Sequence, residues 1–271
     1  MKVLINFADN NYKKAQNLNS KTGKLFCKFD KIYNYSPADI SKEFLEKNKK
    51  IFNYKRGYGL WLWKPYLINE TLKDLKDGDV VFYCDSGACF FRNISQILDI
   101  LELQDIWVSI LPLIEKQFTK RKAFELMNLN DEKYKNSNQI SGTFLAIKKS
   151  EFSMNFVKEW LDYCCNIELI SPVEDKSDEE EYFYSHREDQ SILSLLIKKY
   201  DIKAYSDPSQ YGRLPEKYFR DGCQMKYYGH EDYPICILHH RTKDGNINIL
   251  FKQWLCAILP RKIGLKFIDK K

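Results

Sequence analysis

The sequence predicts an α/β fold, in which one open sheet is flanked by helices. Three observations favour it. Short apolar runs rich in strand-forming residues alternate with segments of helical periodicity through roughly the first 150 residues. Several helix starts are marked by Ser or Pro at the positions that cap a helix. Polar residues also follow two of the apolar runs directly, at Asp9 and Asp85. Ligands of open α/β sheets bind beyond the carboxyl ends of the strands, so we expect these two carboxylates to lie near one ligand.

The first elements alternate strand and helix. KVLINFA predicts a buried strand followed by a short helix from about Tyr12, and FDKIYNY predicts a second strand. Ser36 and Pro37 supply an N-cap and a first-turn proline for a helix through about Lys49. KPYLINETLKDL again has proline near a helix start and ends at the turn KDGD, after which VVFYC predicts a strand. This order is typical of a sheet whose strands are joined by helices.

The later elements continue the pattern. Asn93 can cap a helix over ISQILDILEL, and Ser150 can cap one over EFSMNFVKEWLDYC. DIWVSILPL and QISGTFLAIKK predict strands, SPVEDKSDEEE an acidic loop, and DQSILSLLIKKY a further helix. Neither a repeat nor a clear linker divides the chain, so we expect one domain over 1–245 followed by a basic amphipathic tail over 246–271.

Composition bounds the partners. A chain that is 44% hydrophobic and 15% aromatic is expected to fold, and a net charge of +6 suits an anionic partner such as a nucleotide, a polyphosphate or an acidic membrane surface. Nucleic acid is not expected, because no nucleic-acid-binding motif is present. The eight cysteines show no CxxC spacing, the apolar run at the start meets Asp9 at once, and no run of about 18 apolar residues exists. We therefore expect a reduced, cytoplasmic protein.

Two candidate sites follow strand ends. In FADNNY, small Ala8 lets a planar ring approach while Asp9 and Asn10 offer acceptors to a base or ribose; the alternative is a plain Asx turn. In YCDSG, Asp85 can ligate a divalent cation that bridges the phosphates of a nucleotide diphosphate, and Gly87 permits close approach of the backbone. Ordinary turn chemistry is the alternative there too.

KRGYGLWLWKP crowds cations and aromatic rings around two glycines. Arg56 or Lys64 can neutralise phosphate, and the aromatic rings can stack on sugars and bases. Alternatively Trp61 and Trp63 anchor the core, and we expect that at least one of them does.

Two polar clusters follow later in the chain. Glu188, Asp189 and Gln190, just after His186, lie at a helix start, where acidic residues are also expected because of the helix dipole. In ILHHRTK, His239 or His240 can complete a metal site, and the cations that follow can grip a diphosphate. The alternative is that each histidine is structural.

In their order along the chain, these motifs resemble bacterial glycosyltransferases of the GT-A fold. They are most similar to the retaining family-8 galactosyl- and glucosyltransferases and to related capsule or lipooligosaccharide enzymes. INFADNNYKKA resembles that family's first strand and nucleotide-binding turn, VVFYCDSG its strand ending in an Asp-x-Asp motif, and EDQSILS its Asp-Gln motif. The second histidine of HHR stands where the family has its third metal ligand, and RGYGLWLWKPYLI resembles a stretch common in bacterial polysaccharide transferases.

The resemblance implies a mixed open sheet and a hexosyltransferase. Such an enzyme moves a hexose from a nucleotide sugar, here a UDP-sugar, to a surface-polysaccharide or lipid-linked glycan acceptor. It implies catalytic roles for Glu188, Asp189 and Gln190. It implies nucleotide-sugar contacts by Phe7, Ala8, Asp9, Asn10, Arg56, Lys64, Asp85, Ser86, Arg241 and Lys243.

The same resemblance implies a manganese or magnesium ion held by Asp85, His239 and His240, but the chain departs from the family pattern. Gly87 replaces the second Asp of Asp-x-Asp and removes one metal ligand. Two alternatives stay open. Either Asp85, a histidine and the diphosphate suffice to hold the ion, or cationic side chains replace it.

The acidic cluster predicts two mechanisms. In a retaining enzyme, Asp189 or Gln190 would lie beneath the anomeric carbon and stabilise its positive charge; in an inverting one, Glu188 or Asp189 would deprotonate the acceptor. The Asp-Gln-Ser-Ile-Leu order favours retention. Two other classes compete: a non-catalytic basic protein that docks on an acidic membrane or polyanion, and a phospho- or nucleotidyltransferase. Against the latter, no GxxxxGK[ST] loop is present.

The tail, NILFKQWLCAILPRKIGLKFIDKK, has the profile of an interfacial helix. Phe251, Trp254, Leu255 and Ile258 make one apolar stripe with Lys252, Arg261, Lys262 and Lys266 nearby. This predicts peripheral binding to the cytoplasmic face of the inner membrane. A terminal helix docked on the core is an equally good interpretation.

Overall fold

A computed structural model describes residues 1–229 and 232–267, and its centre is a five-stranded sheet. The strands are β1 (Lys2–Phe7), β2 (Lys31–Tyr35), β3 (Val80–Cys84), β4 (Ala88–Phe90), β5 (Ile106–Ile114), β6 (Asn138–Lys148) and β7 (Ile237–His239). In the central sheet, β1, β2 and β3 are mutually parallel in the order β2-β1-β3, and β6 and β5 continue the sheet with antiparallel pairing. A separate two-stranded sheet pairs β4 with β7.

Helices cover both faces of the central sheet. The longer ones are α1 (Lys13–Thr22), α2 (Lys42–Lys47), α3 (Trp63–Lys73), α4 (Ser95–Ile100), α5 (Arg121–Leu126), α6 (Glu151–Cys164), α7 (Glu188–Lys199) and α8 (Ile247–Ile258). Short helical turns lie at Asn10–Tyr12, Gly23–Cys27, Pro37–Asp39, Lys49–Phe52, Gly57–Leu60, Glu115–Phe118, Glu132–Lys135, Ile167–Ile170, Gln210–Arg213, Pro215–Tyr218, Arg261–Gly264 and Leu265–Phe267.

The mixed, open sheet flanked by helices that the sequence predicts is confirmed. One predicted element is wrong in detail: the single helix from Ser36 through about Lys49 is broken. The chain makes a short turn at Pro37–Asp39, becomes extended at Ile40, and starts α2 only after Ser41. Ser41 supplies a second N-cap, because its side chain accepts a hydrogen bond from the backbone N–H of Phe44 at 3.2 Å.

The core follows from the alternation of side chains along each strand. Val3 and Ile5 point to one face of the sheet, where they join a cluster with Trp160 of α6 and Ile192 of α7. Leu4 points to the other face, in a second cluster with aromatic residues of β3, β4, β5 and β6. Helices on both faces, joined on the second face by the small β4-β7 sheet, therefore fix where the strand ends lie.

The tail helix α8 packs on the domain. Cys256 and Ala257 are buried, and the side-chain amide of Gln210 donates a 2.9 Å hydrogen bond to Oε1 of Gln253. Within 1–229 and 232–267, no helix is long and apolar enough to cross a bilayer.

Candidate active site

A cavity of about 700 Å³ opens at the carboxyl ends of β1 and β3. Its volume lies within the range of small-molecule and cofactor sites. Residues from both strand ends, from the segment before α3 and from the segment after β7 line it: Phe7, Ala8, Asp9, Asn11, Tyr12, Lys55, Gly57, Tyr58, Trp61, Trp63, Tyr83, Asp85, Ser86, Gly87, Thr143, His239, Arg241 and Lys243.

Asp9 organises the end of β1. One carboxylate oxygen accepts from the backbone N–H groups of Asn11 at 3.0 Å and Tyr12 at 3.2 Å, and the other accepts from the Asn11 side chain at 3.0 Å. The predicted Asx turn is therefore present, and the same residue lines the cavity, while its contact with a ligand stays a prediction. The turn directs Asn11 and Tyr12 to the cavity, whereas Asn10 is exposed and does not line it.

Asp85 stands at the end of β3, half-buried in the cavity wall. Burial raises the pKa of its carboxyl, against the opposing pull of Lys64, of a hydrogen bond donated by the Tyr83 hydroxyl, and of Arg241. Next to it, the Ser86 hydroxyl donates to the carbonyl oxygen of Phe7 at 2.7 Å. That bond ties the ends of β1 and β3 together at the cavity.

The two histidines at the end of β7, His239 within the strand and His240 just after it, have different positions. His239 lines the cavity, and its Nε2 accepts from Nε of Arg241 at 3.3 Å; burial and the adjacent Arg241 hold its pKa well below the usual range. His240 does not line the cavity. Its Nδ1 accepts from the backbone N–H of Thr242 at 3.1 Å, and burial lowers its pKa to about 4.

The predicted cations divide into two groups. Arg241 and Lys243 line the cavity, together with Lys55, which the sequence did not single out. Lys64 lies behind the wall, where its Nζ is 2.7 Å from a carboxylate oxygen of Asp189 and donates to the carbonyl oxygen of Gly142 at 2.9 Å. Burial acts to lower the pKa of Lys64, but the carboxylates of Asp189 and Asp85 raise it.

The three predicted catalytic residues begin α7 and lie behind β6 rather than in the cavity lining. Asp189 is buried against Lys64, and burial raises its pKa to about 6. Gln190 accepts from the Gly142 N–H at 3.1 Å and donates to Gln139 at 2.9 Å. A Cβ at Gly142 would come within 3.2 Å of the Gln190 Cβ, so the absent side chain permits this close packing.

Glu188 reaches across to the segment before α3. Its carboxylate is paired with Nε of Arg56 at 2.7 Å, and Arg56 stays outside the cavity lining. The ion pair therefore connects the start of α7 to the residues that follow Arg56.

Those residues form a left-handed turn (residues 57–61). All five have positive φ: Gly57 60°, Tyr58 49°, Gly59 80°, Leu60 56° and Trp61 61°. Left-handed helical backbone costs about 1–2 kcal/mol for each residue other than glycine, so the surroundings must hold this turn. Leu60 is fully buried, and the Trp63 indole donates to the Gly57 carbonyl oxygen at 2.8 Å.

The left-handed turn shapes one wall of the cavity. It presents Tyr58 and Trp61 to the cavity, while Trp63 is buried and stacks on Phe7 with the ring centroids 3.9 Å apart. Trp63 is thus the core anchor that the sequence predicted, and Trp61 is a half-buried ring of the cavity wall. The two glycines of KRGYGLWLWKP were the sequence signal for such a turn.

Within residues 1–229 and 232–267, no group of three or more His, Cys, Asp or Glu side chains is placed so that it could hold a metal ion. Asp85 and His239 share the cavity, and His240 does not join them.

The chain is similar to several solved structures. No family model matches the chain, and no curated protein matches it. Among solved structures, the chain is similar to mouse xyloside xylosyltransferase 1 (12% identity, 92% of this chain and 99% of that one, TM-score 0.46). It is also similar to the galactosyltransferase LgtC in complex with donor and acceptor sugar analogs (14%, 97% and 98%, TM-score 0.49). A third is the glycosyltransferase GlyE of Streptococcus pneumoniae TIGR4, of which the chain spans 62% (15%, 98% of this chain, TM-score 0.46).

These similar structures are glycosyltransferases, the class that the sequence motifs resemble. Because the identities are at most 15% and the TM-scores lie below 0.5, the function of this chain has to be drawn from the residues of its cavity.

Proposed function

We propose that the protein is a GT-A glycosyltransferase that moves a hexose from a nucleotide sugar to a glycan acceptor. The family that its motifs resemble favours a UDP-sugar as the donor. The observation that carries the proposal is the shared cavity. A strand-end carboxylate, Asp85, three cations and several aromatic rings line one space of about 700 Å³. A nucleotide sugar needs this combination, since it joins a flat base, two sugars and a diphosphate.

Each part of the donor has a complementary part of the wall. Ala8, Asn11 and Tyr12 at the end of β1 offer a small side chain, an amide and a ring to a base and ribose. Asp85 accepts from ribose or sugar hydroxyls. Arg241, Lys243 and Lys55 supply positive charge for the diphosphate.

The reaction requires charge stabilisation at two points. The bond between the anomeric carbon and the diphosphate oxygen breaks with its electron pair on the oxygen, where the cavity cations meet the developing charge. The acceptor hydroxyl oxygen forms the new bond to the anomeric carbon, and its proton goes to the departing diphosphate oxygen. In a retaining reaction, positive charge on the sugar is stabilised by the start of α7 behind Gly142, where Asp189 and Gln190 lie.

We expect Asp189→Asn to reduce turnover about 100-fold or more.

Ligand binding distinguishes this proposal from its rivals. We expect UDP, GDP or their hexose conjugates to raise the melting temperature, by an amount that corresponds to about 2.7 kcal/mol at a hundredfold excess over Kd. Asp85→Asn should reduce the shift for the nucleotide sugars. A shift with ATP alone would favour a phospho- or nucleotidyltransferase, and one with heparin alone would favour a polyanion-binding protein. Transfer of labelled hexose to a glycan acceptor then tests the reaction itself.

We also propose that the tail touches an acidic membrane surface, which suits a lipid-linked acceptor. Part of α8 is docked on the domain and part of it is exposed, so the docked helix and the interfacial helix each describe some of its residues. Leu255 and Ile258 of the predicted stripe are half-buried, but Ile247, Phe251 and Trp254 remain 74%, 58% and 38% exposed at helical spacing. The nearby Lys262 and Lys266 are exposed as well. Exposed apolar residues beside cations are typical of interfacial binding.

Vesicle binding tests the membrane proposal. Cosedimentation with phosphatidylglycerol vesicles should fall at least tenfold in Phe251→Ser/Trp254→Ser. Leu103→Ser is the matched control, because Leu103 is 83% exposed in the segment after α4, distant in sequence from the tail. Equal binding by both variants would contradict the proposal.

A further inference from the structure

Gly87 lies directly against the chain segment that follows β7. A Cβ built at Gly87 would stand 3.3 Å from Cα and 3.6 Å from N of Arg241, and these are backbone atoms that cannot rotate away. The Gly87 carbonyl oxygen also accepts from the backbone N–H groups of His240 at 2.9 Å and Arg241 at 2.8 Å. The position where the family motif has its second carboxylate is therefore packed against the Arg241 backbone.

The guanidinium of Arg241 is held at the cavity by aromatic rings. The backbone at Arg241 has φ 57°, and the guanidinium carbon lies 4.4 Å from the ring centroid of Tyr211 and 5.7 Å from that of Tyr218. Tyr218 is fixed in turn, because its hydroxyl donates to Asp207 at 2.8 Å. Cation–π contacts of this kind orient a guanidinium and leave its N–H groups available for a ligand.

His239 is turned toward this cation. Its Nε2 accepts from Nε of Arg241, which assigns the ring proton to Nδ1, and Nδ1 is a buried atom without a hydrogen-bond partner among the described residues. A metal ion on Nε2 would have to displace the guanidinium. His240 faces Thr242 and lies outside the cavity lining. The side chains present do not fit the ion that the resemblance implies.

We infer that Arg241 neutralises the donor diphosphate in place of a divalent metal ion, an inference that rests on the proposed function. A guanidinium matches two phosphate oxygens with two parallel N–H bonds, whereas a lysine offers a point charge. The positions of Gly87 and Arg241 thus depend on each other. Because residue 87 has no side chain, the backbone that carries Arg241 can pack against it.

The test compares UDP with uridine, which lacks the diphosphate. By calorimetry, wild-type protein in excess EDTA should bind UDP within about threefold of its Kd in manganese. Arg241→Gln should weaken UDP at least tenfold and uridine less than threefold. Arg241→Lys should restore only part of the loss, because the charge returns without the fork. Arg121→Gln, on the exposed surface of α5, removes one positive charge elsewhere and should change the affinity for neither UDP nor uridine.

The outcomes separate this inference from the proposed function. UDP binding that disappears in EDTA and returns with manganese would overturn the metal replacement and keep the transferase. The wild-type chelator measurement decides this even if Arg241→Gln does not fold. Equal weakening of UDP and uridine by Arg241→Gln would also overturn it, because Arg241 would then shape the cavity without meeting the diphosphate. Failure to bind UDP, GDP and uridine alike would overturn the proposed function itself.

Discussion

Two cations that the sequence assigns to one task, Lys64 and Arg241, have opposite surroundings. Lys64 is 4% exposed, and its Nζ is 2.7 Å from the carboxylate of Asp189 behind the cavity wall. Arg241 is exposed, rests on aromatic rings and lines the cavity. Lys64 therefore has its counter-ion from the protein, whereas none of the ion pairs within residues 1–229 and 232–267 joins Arg241 to a carboxylate. The charge of a side chain alone therefore does not predict a phosphate site. It must also be known whether the protein already pairs that side chain with a carboxylate.

The pairing of Lys64 has a structural consequence. Lys64 belongs to α3, Asp189 to α7 and Gly142 to β6, and the Lys64 ammonium contacts both other residues. We call this set the clasp (Lys64, Asp189 and Gly142). It holds two helices to the strand that supplies Thr143 to the cavity. The clasp thus acts on the site by fixing its wall.

The largest effect is expected from opening the clasp. Lys64→Met leaves the Asp189 carboxylate buried without its counter-ion and should lower the free energy of unfolding by about 3–5 kcal/mol. Arg241→Met, at an exposed cation, should cost less than about 1 kcal/mol. Urea unfolding of the two variants measures the difference.

A double variant controls for lost packing. Lys64→Met/Asp189→Leu removes both charges and should recover most of the stability lost in Lys64→Met. If Lys64→Met unfolds like the wild type, then Lys64 is not a clasp residue, and its predicted role as a phosphate ligand regains support.

The same comparison shows what could be predicted from the sequence. The strands and most helices follow from local periodicity and caps, and two parallel strand ends necessarily brought Asp9 and Asp85 to one edge. Whether Lys64 meets Asp189 or a ligand depends on packing between distant segments, which no local pattern specifies. The choice of Asn11 over Asn10 depends on which way the Asp9 turn faces. The β4-β7 pair was missed because three-residue strands carry too little pattern.

The pH dependence of stability sharpens the comparison at Asp189. Its pKa is raised from 3.8 to about 6, mainly by burial, so the folded protein binds a proton that the unfolded chain releases between these values. The contribution of Asp189 to stability should therefore fall as the pH rises from about 4 to about 6, by up to about 1.4 kcal/mol per pH unit, and be constant above that.

Asp189→Asn should remove this slope. Urea unfolding at intervals from pH 4.5 to 7.5 gives the difference between wild type and Asp189→Asn, which isolates the one group from the other titrating carboxyls. A difference that instead favours the wild type increasingly as the pH rises would show that attraction to Lys64 outweighs burial, with the pKa of Asp189 lowered rather than raised.

The smallest stability effect is expected at the ion pair between Arg56 and Glu188, which differs from the clasp in being open to solvent on one side. The Arg56 side chain is 60% exposed, so Arg56→Ala should lower the free energy of unfolding by only about 1 kcal/mol or less.

The effect of Arg56→Ala on the site should be larger in proportion. Arg56 immediately precedes the left-handed turn, whose backbone is costly and depends on its surroundings. Loosening the turn frees Tyr58 and Trp61, so we expect donor affinity to fall about three- to tenfold, together with a change in Trp fluorescence. Lys49→Ala, at an exposed lysine paired with Glu46 of α2, is a matched control that should leave donor affinity unchanged. Unchanged affinity in Arg56→Ala would show that Leu60 and the Trp63 hydrogen bond hold the turn without the ion pair.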